Sequence, residues 1–379
     1  MLNPVFITKI SKFLPNDPVS NDEMEEYLGL IKGLKSKCKA LILRNNGIKN
    51  RHYALNKNGV STHSNYELTA EAIKRLEGDS FRVKDIQLLT CGSASPDHLL
   101  PSLASMVHGE LDCGAIDVMA ASGSCNSSMW ALNYAWMSLL LGRYSNAVCT
   151  GSEKQSSSML SQNFEEESKH LENLGKNPYI AFEKEFLRWM LSDGAAAVLL
   201  ETKPNTSGLS LRIDWIEIRS YANVLETCMY AGGIKNENCE ITPWRDIEPM
   251  KLINDSVFAL KQDARLLEKY ITDIGAEFLK ELIKKGLLNN SEIDYFLPHM
   301  SSEFFRNKIR NSLLKYDIPI DESKWFTNLD KIGNIGAASG FMMIEELFYS
   351  GRLKKGERLL LMVPESARFS YSFVHFTAV

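Results

Sequence analysis

No two of the seven cysteines stand at CxxC spacing, and their number is odd. That argues against a zinc site and against a disulfide framework. The cysteines are expected to be reduced, and most of them to be small core residues. No apolar run reaches membrane-span length; the longest candidate, Met129 to Leu141, is interrupted by Asn133 and Ser138. No basic segment followed by an apolar stretch marks a signal peptide, so a cytoplasmic location is expected. Net charge is also scarce, −4 over 379 residues, which leaves no footprint for nucleic acid or an anionic membrane. What remains is an ordinary globular composition in a chain too long for one core, and hence two domains or two fused halves.

Helix and strand patterns alternate over residues 65–152. "NYELTAEAIKRL" has helical spacing, "DIQLLTCGSA" reads as a buried strand, and "PDHLLPSLASMVHGEL" as a helix. The strand "AIDVMAA", a long apolar helix and the strand "SNAVCTGSE" follow. This order predicts an α/β fold with a parallel or mixed sheet. Residues 155–187 break the pattern with a polar, charge-rich stretch that reads as an inserted lid or interface element, or equally as a solvated surface helix. Later, "SLRIDWIEIRSYA" alternates as a half-buried strand, 254–286 form one or two long helices, and "ERLLLMVPE" and "FSYSFVHFTAV" are closing strands.

Chemistry concentrates in the stretch "DVMAASGSCNSSMWALNYAWMSLLLG", Asp117 to Gly142. A strand enters a turn of small residues, Ala120 to Ser124, which lets another group approach the backbone. Cys125 then opens a helix that is apolar on nearly every face. Unsatisfied amides and the positive end of the helix dipole favour a thiolate there. Such a strand–turn–nucleophile–helix elbow presents a side chain at a sharp bend, although a buried structural thiol would fit the same pattern.

A thiolate acting on acyl groups needs a proton shuttle and an electrostatic stabiliser. Of seven histidines, His299 stands out: it follows Pro298 at the end of an apolar strand and precedes a stretch opening with two capping serines. Asn334 lies in "KIGNIGAASG", where glycines and small residues imply close backbone approach before a helix, although an asparagine turn would explain it too.

Together, "SCNSSMWAL", "FLPHMSSEFFRNKI" and "IGNIGAASG" resemble the Cys-His-Asn site of β-ketoacyl-acyl-carrier-protein synthase III, in the thiolase superfamily. The resemblance extends over nearly the whole chain through "KFLPNDPVSNDEMEEYL", "NGIKNRHYA", "SPDHLLPSLASMVHGEL" and "GRLKKGERLLLMVPE". It implies a thiolase fold: two similar halves in α-β-α-β-α layers with mixed five-stranded sheets. Residues 1–205 would carry the nucleophile and residues 206–379 the histidine and asparagine.

It also implies Cys125, His299 and Asn334 as catalytic residues, with an oxyanion held by the amides of Cys125 and Ala367. Acyl carrier protein or acyl-coenzyme A would present the substrate on phosphopantetheine. No metal or redox cofactor is implied, and a homodimer is expected. Phe304, Phe305, Met129 and Trp130 could line an aliphatic pocket or simply pack a core.

The departures are specific. The elbow carries extra residues before its cysteine, so Ser122 takes the nucleophile position when counting forward from Asp117. Cys125 takes it when counting back from Ala131 and Leu132. Leu41 stands near the place of a tryptophan that stacks on coenzyme A in housekeeping members, and "PESARFSY" replaces their glycine-rich loop. These features resemble the condensing branch of dialkylresorcinol and flexirubin-type pathways, which implies a C–C bond between two acyl units and a cyclohexanedione product. Two alternatives stay open: an acyltransferase acting on an alcohol or amine, and a non-catalytic, pocket-shaping partner subunit.

Overall fold

The computed structural model describes residues 2–36, 38–168 and 186–379. Much of the expected 155–187 excursion, residues 169–185, lies outside the described residues. The main elements are strands β1 (Phe6–Phe13), β2 (Leu88–Ser93), β3 (Asp117–Ser122), β4 (Asn146–Glu153), β5 (Gly194–Glu201), β6 (Leu211–Ser220), β7 (Tyr295–Pro298), β8 (Arg358–Glu365) and β9 (Ser370–Ala378). The helices that pack on them are α1 (Asn65–Lys74), α2 (Leu103–Gly109), α3 (Ser127–Leu140), α4 (Ala264–Lys284), α5 (Arg306–Lys315) and α6 (Ser339–Tyr349).

The strands join in the order β7-β8-β9-β6-β1-β5-β4-β2-β3. The order hides a repeat. In the first half, β1 pairs antiparallel with β5 and β5 with β4, while β4–β2 and β2–β3 are parallel. In the second, β6 pairs antiparallel with β9 and β9 with β8, while β8–β7 is parallel. The strand corresponding to β3 shrinks to one parallel bridge, Phe296 to Trp325. The first half therefore has five strands of mixed direction, and the second has four plus that bridge. Phe6–Arg212 and Ile7–Leu211 link the halves through β1 and β6, with the Ile213 N–H also donating to the Val5 carbonyl.

Alternation along the strands builds the layers. On β5, Ala196, Val198 and Leu200 face a central cluster with Leu132 and Leu139 of α3 and Phe341 and Ile344 of α6. Their neighbours Ala195, Ala197 and Leu199 face the outer helices α1 and α2. On β8, Leu361 and Val363 join the central cluster. Leu360 and Met362 instead pack beneath α4 and α5. The result is helix, sheet, helix, sheet, helix: the layered α/β thiolase arrangement. Strands covered on both faces explain the near-continuous apolar runs that marked them in sequence.

Of the 254–286 region expected to be helical, Ala264–Lys284 forms one 21-residue helix, α4, capped by the Asp263 side chain accepting from the amides of Arg265 and Leu266, whereas Lys261–Gln262 before it is a two-residue strand. Among the described residues, no helix is long and apolar enough to cross a membrane.

Candidate active site

The repeat places three loops together. Cys125 follows β3, His299 follows β7, and Asn334 lies between the Trp325 bridge and α6. Two glycines let the loops close. A Cβ on Gly92 of β2 would lie 2.4 Å from the Ser128 nitrogen, so only glycine lets α3 start directly on the sheet. A Cβ on Gly151 of β4 would meet the Ala337 carbonyl oxygen at 2.4 Å and the Ser128 Cβ at 3.0 Å. Ser128 Oγ donates to that same carbonyl at 2.6 Å, tying the cysteine helix to the asparagine loop.

Asn334 is buried and locked by its surroundings. Its N–H donates to the Met190 carbonyl and its own carbonyl accepts from Ser192. Its Oδ1 accepts from the Gly336 N–H at 3.0 Å, which leaves the Nδ2 amine as the donor available to a ligand. The glycines on either side, Gly333 (φ 75°) and Gly336 (φ 44°), supply the left-handed turns of the loop. His299 is also buried, with its N–H donating to the Met362 carbonyl at 2.8 Å. The expected capping serine after it is present: the Ser302 side chain accepts from the Phe304 N–H.

Burial sets the resting electrostatics. It pushes the His299 imidazole down to about 4, so the ring is neutral at pH 7 and can donate from one nitrogen. Cys125 departs from the sequence expectation. The start of α3 was expected to favour a thiolate, yet burial, followed by the charges of Glu365 and Glu153, pushes its thiol up to about 12. The resting pair is thus a thiol and a neutral imidazole, and proton transfer must accompany acyl attack.

Cys125 borders two cavities. One, of about 40 Å³, is shared with His299 and walled by Leu267, Ile271, Phe305 and Ile309. The other, of about 720 Å³, is shared with Asn334, Glu153, Trp244 and Phe258. Ser122 lines only the second, so the thiol, unlike the competing serine, stands where both spaces meet. Of the aromatic and sulfur residues proposed as lining, Phe305 borders the small cavity. Phe304 is partly exposed, and Met129 packs in the central core. Trp130 covers Gly123 of the elbow.

Three comparisons bear on this arrangement. The family described as "3-Oxoacyl-[acyl-carrier-protein (ACP)] synthase III C terminal" matches residues 283–364, which include His299 and Asn334. Beta-ketoacyl-[acyl-carrier-protein] synthase III of Rickettsia rickettsii is 25% identical over 348 residues, covering 92% of each chain. Among solved structures, the tetronic acid condensing enzyme AbyA1 superposes with a TM-score of 0.76 at 21% identity, covering 98% of this chain and 99% of its own. The chain is similar in sequence to synthase III enzymes over most of its length and carries the thiolase fold. A variant of Xanthomonas campestris OleA with bound lauric acid and lauroyl-CoA shares that fold along its full length, with a TM-score of 0.75 at 20% identity.

Within this fold, the loop after β8 sets Ala367 and its neighbour apart. Ala367 lies in the turn between β8 and β9, where its carbonyl accepts from the Cys228 and Met229 amides. Its neighbour Ser366, not Ala367, borders both cavities.

Sequence reasoning missed two carboxylates. Glu153 ends β4, fully buried, and accepts from the amides of Ala94 and Ala337 and the Ser95 hydroxyl. Burial raises it to about 7 despite these donors. The signal was an acidic residue closing the apolar strand "SNAVCTGSE". Glu365 ends β8 against the elbow; burial holds it above the usual carboxylate range.

Proposed function

We propose that the chain is an acyl-transferring condensing enzyme that joins two acyl units by a C–C bond through an acyl-Cys125 intermediate. The observation that carries this reading is the position of Cys125 where two cavities meet, one narrow and apolar, the other large. Such a site can hold the first carbons of an acyl group on sulfur in the narrow space while a second thioester approaches through the large one.

Cys125 Sγ attacks the first thioester carbonyl. Its proton leaves on the carrier thiol, and a thioester to Cys125 replaces the one to the carrier. The second donor loses a proton or carbon dioxide from its α-carbon to give the enolate, which attacks the acyl-cysteine carbonyl; the C–C bond forms as the C–S bond to Cys125 breaks, and the released sulfur takes up a proton to restore the thiol. Neutral His299 and the Asn334 Nδ2 donate hydrogen bonds to the enolate oxygen, where charge develops. The Cys125 amide supports the oxyanion of acyl transfer, and the cavity wall at Ser366 takes the place expected for Ala367. These steps draw only on protein groups and the pantetheine thioester of acyl carrier protein or coenzyme A.

The finer reading is a cyclohexanedione precursor of dialkylresorcinols, formed when the joined chains cyclise. It is supported by the aliphatic lining and by the replaced glycine-rich loop. We also propose a homodimer built on β3, the edge strand, whose Ala120 and Ser122 are exposed.

Product analysis tests the reading. Incubation with paired acyl thioesters is expected to yield a product with a new C–C bond. An ester or amide formed with an added alcohol or amine would instead identify a simple acyltransferase. Protein that forms no product and takes up no acyl group would identify a pocket-shaping subunit.

A further inference from the structure

The C-terminal hairpin grips the nucleophile elbow from more than 200 residues away. Glu365 Oε2 accepts from the Ser124 N–H at 3.4 Å and the Asn126 N–H at 3.3 Å, the amides on either side of Cys125. Ser370 Oγ, on the opposing strand β9, accepts from Asn126 Nδ2 at 2.9 Å. Ser372 Oγ donates to Asn126 Oδ1 at 2.5 Å. Glycine at 123 leaves room for the Trp130 ring, which a Cβ there would meet at 2.8 Å, beside the same carboxylate oxygen. The arrangement is a built clamp: a buried carboxylate, two backbone amides and a fully buried asparagine, joined across the two halves.

Its electrostatic consequence follows from the identity of the acceptor. Free amides at the start of α3 form the place where a negative sulfur would be stabilised. Here a carboxylate of the chain itself occupies it. Around Cys125, the charged or titratable groups are Glu365 on β8, Glu153 on β4, His299 after β7 and Tyr371 on β9, with Asp97 and Lys154 also lining the larger cavity. The walls of the smaller cavity from α4 and α5 contribute no charge.

We infer that Glu365 is a positioning residue that clamps the elbow and reserves its amides, holding Cys125 in the thiol form until an acyl thioester is bound. The role rests on Cys125 being the nucleophile. It differs from the oxyanion role expected of the same loop, and it protects the sulfur from alkylation and oxidation in the empty enzyme, because the thiolate is the reactive species.

The test is the pH dependence of iodoacetamide alkylation at Cys125, followed by mass spectrometry of the peptide carrying that residue. In Glu365→Gln, which keeps an acceptor and removes the charge, the midpoint is expected to fall by about 1–3 pH units. Alkylation at pH 8 then rises tenfold or more. Glu153→Gln, which leaves the clamp intact, is expected to shift the midpoint less. If the glutamine variant does not fold, Glu365→Asp withdraws the charge by one methylene and is expected to give a smaller fall. A midpoint at or above the wild-type value in whichever variant folds overturns the proposal. So does a larger shift in Glu153→Gln than in Glu365→Gln. Wild-type protein that takes up no acyl group at Cys125 from an acyl thioester would overturn the nucleophile assignment as well, a failure distinct from an unmoved midpoint.

Discussion

Gly151→Ala probes the coupling between the cysteine helix and the asparagine loop without touching a catalytic group. The added methyl would stand 2.4 Å from the Ala337 carbonyl oxygen and 2.9 Å from its carbon, both backbone atoms. Ordinary contact begins near 3.4 Å, so the loop must retreat by roughly 1 Å. Overpacking of this kind costs about 1–3 kcal/mol. For a chain of this length, that lowers the unfolding midpoint by about 1–4 °C. The retreat also stretches the Ser128–Ala337 hydrogen bond and carries Asn334, three residues upstream, away from its position. Misplacement by about 1 Å can cost on the order of 100-fold in rate. Scanning calorimetry, acyl-adduct mass spectrometry and product formation separate these effects. The expected pattern is a small stability loss, near-normal acylation of Cys125, and condensation reduced about 100-fold. Condensation at the wild-type rate would refute the argument that this loop must sit where glycine puts it.

His299→Ala is expected to leave acylation of Cys125 in place and to lower condensation about 100-fold, because it removes one donor to the developing enolate oxygen; undiminished condensation would remove His299 from the mechanism. The buried carboxylate of Glu153 gives a stability prediction with a definite sign. Its folded pKa, about 7, lies above the ordinary value of 4.5, so the folded state binds more protons between those values. Stability therefore falls as pH rises from about 4.5 to 7, by about 3 kcal/mol at most. Urea unfolding at several pH values should show this slope in wild type and a shallower one in Glu153→Gln. Equal slopes would mean that Glu153 does not titrate there.

The sequence made the site's separate pieces readable because each has a strong local signal. Small residues before a buried helix marked Cys125, a Pro-His pair at a strand end marked His299, and paired glycines marked Asn334. Alternation and apolar runs likewise marked most of the main strands. Other features depend on contacts that local pattern does not carry. The fifth strand of the second half is a single bridge at Trp325, too short for any period. A second wall of the large cavity comes from Met229–Tyr230 paired with Lys261–Gln262, two-residue strands of which the second falls in the stretch 254–286 expected to be helical. The protonation of Cys125 was misjudged because helix position is a local property, whereas burial and a carboxylate from the far end of the chain are not. Ala367 illustrates the same limit, since a hairpin turn decides whether it or its neighbour faces the cavity.

The central claim is that Cys125 carries the acyl group. Intact-protein mass spectrometry after incubation with an acyl thioester tests it most directly. The account predicts one acyl adduct on wild type, mapped to Cys125, and none on Cys125→Ala. An adduct that survives in Cys125→Ala, or that maps to Ser122, would contradict it.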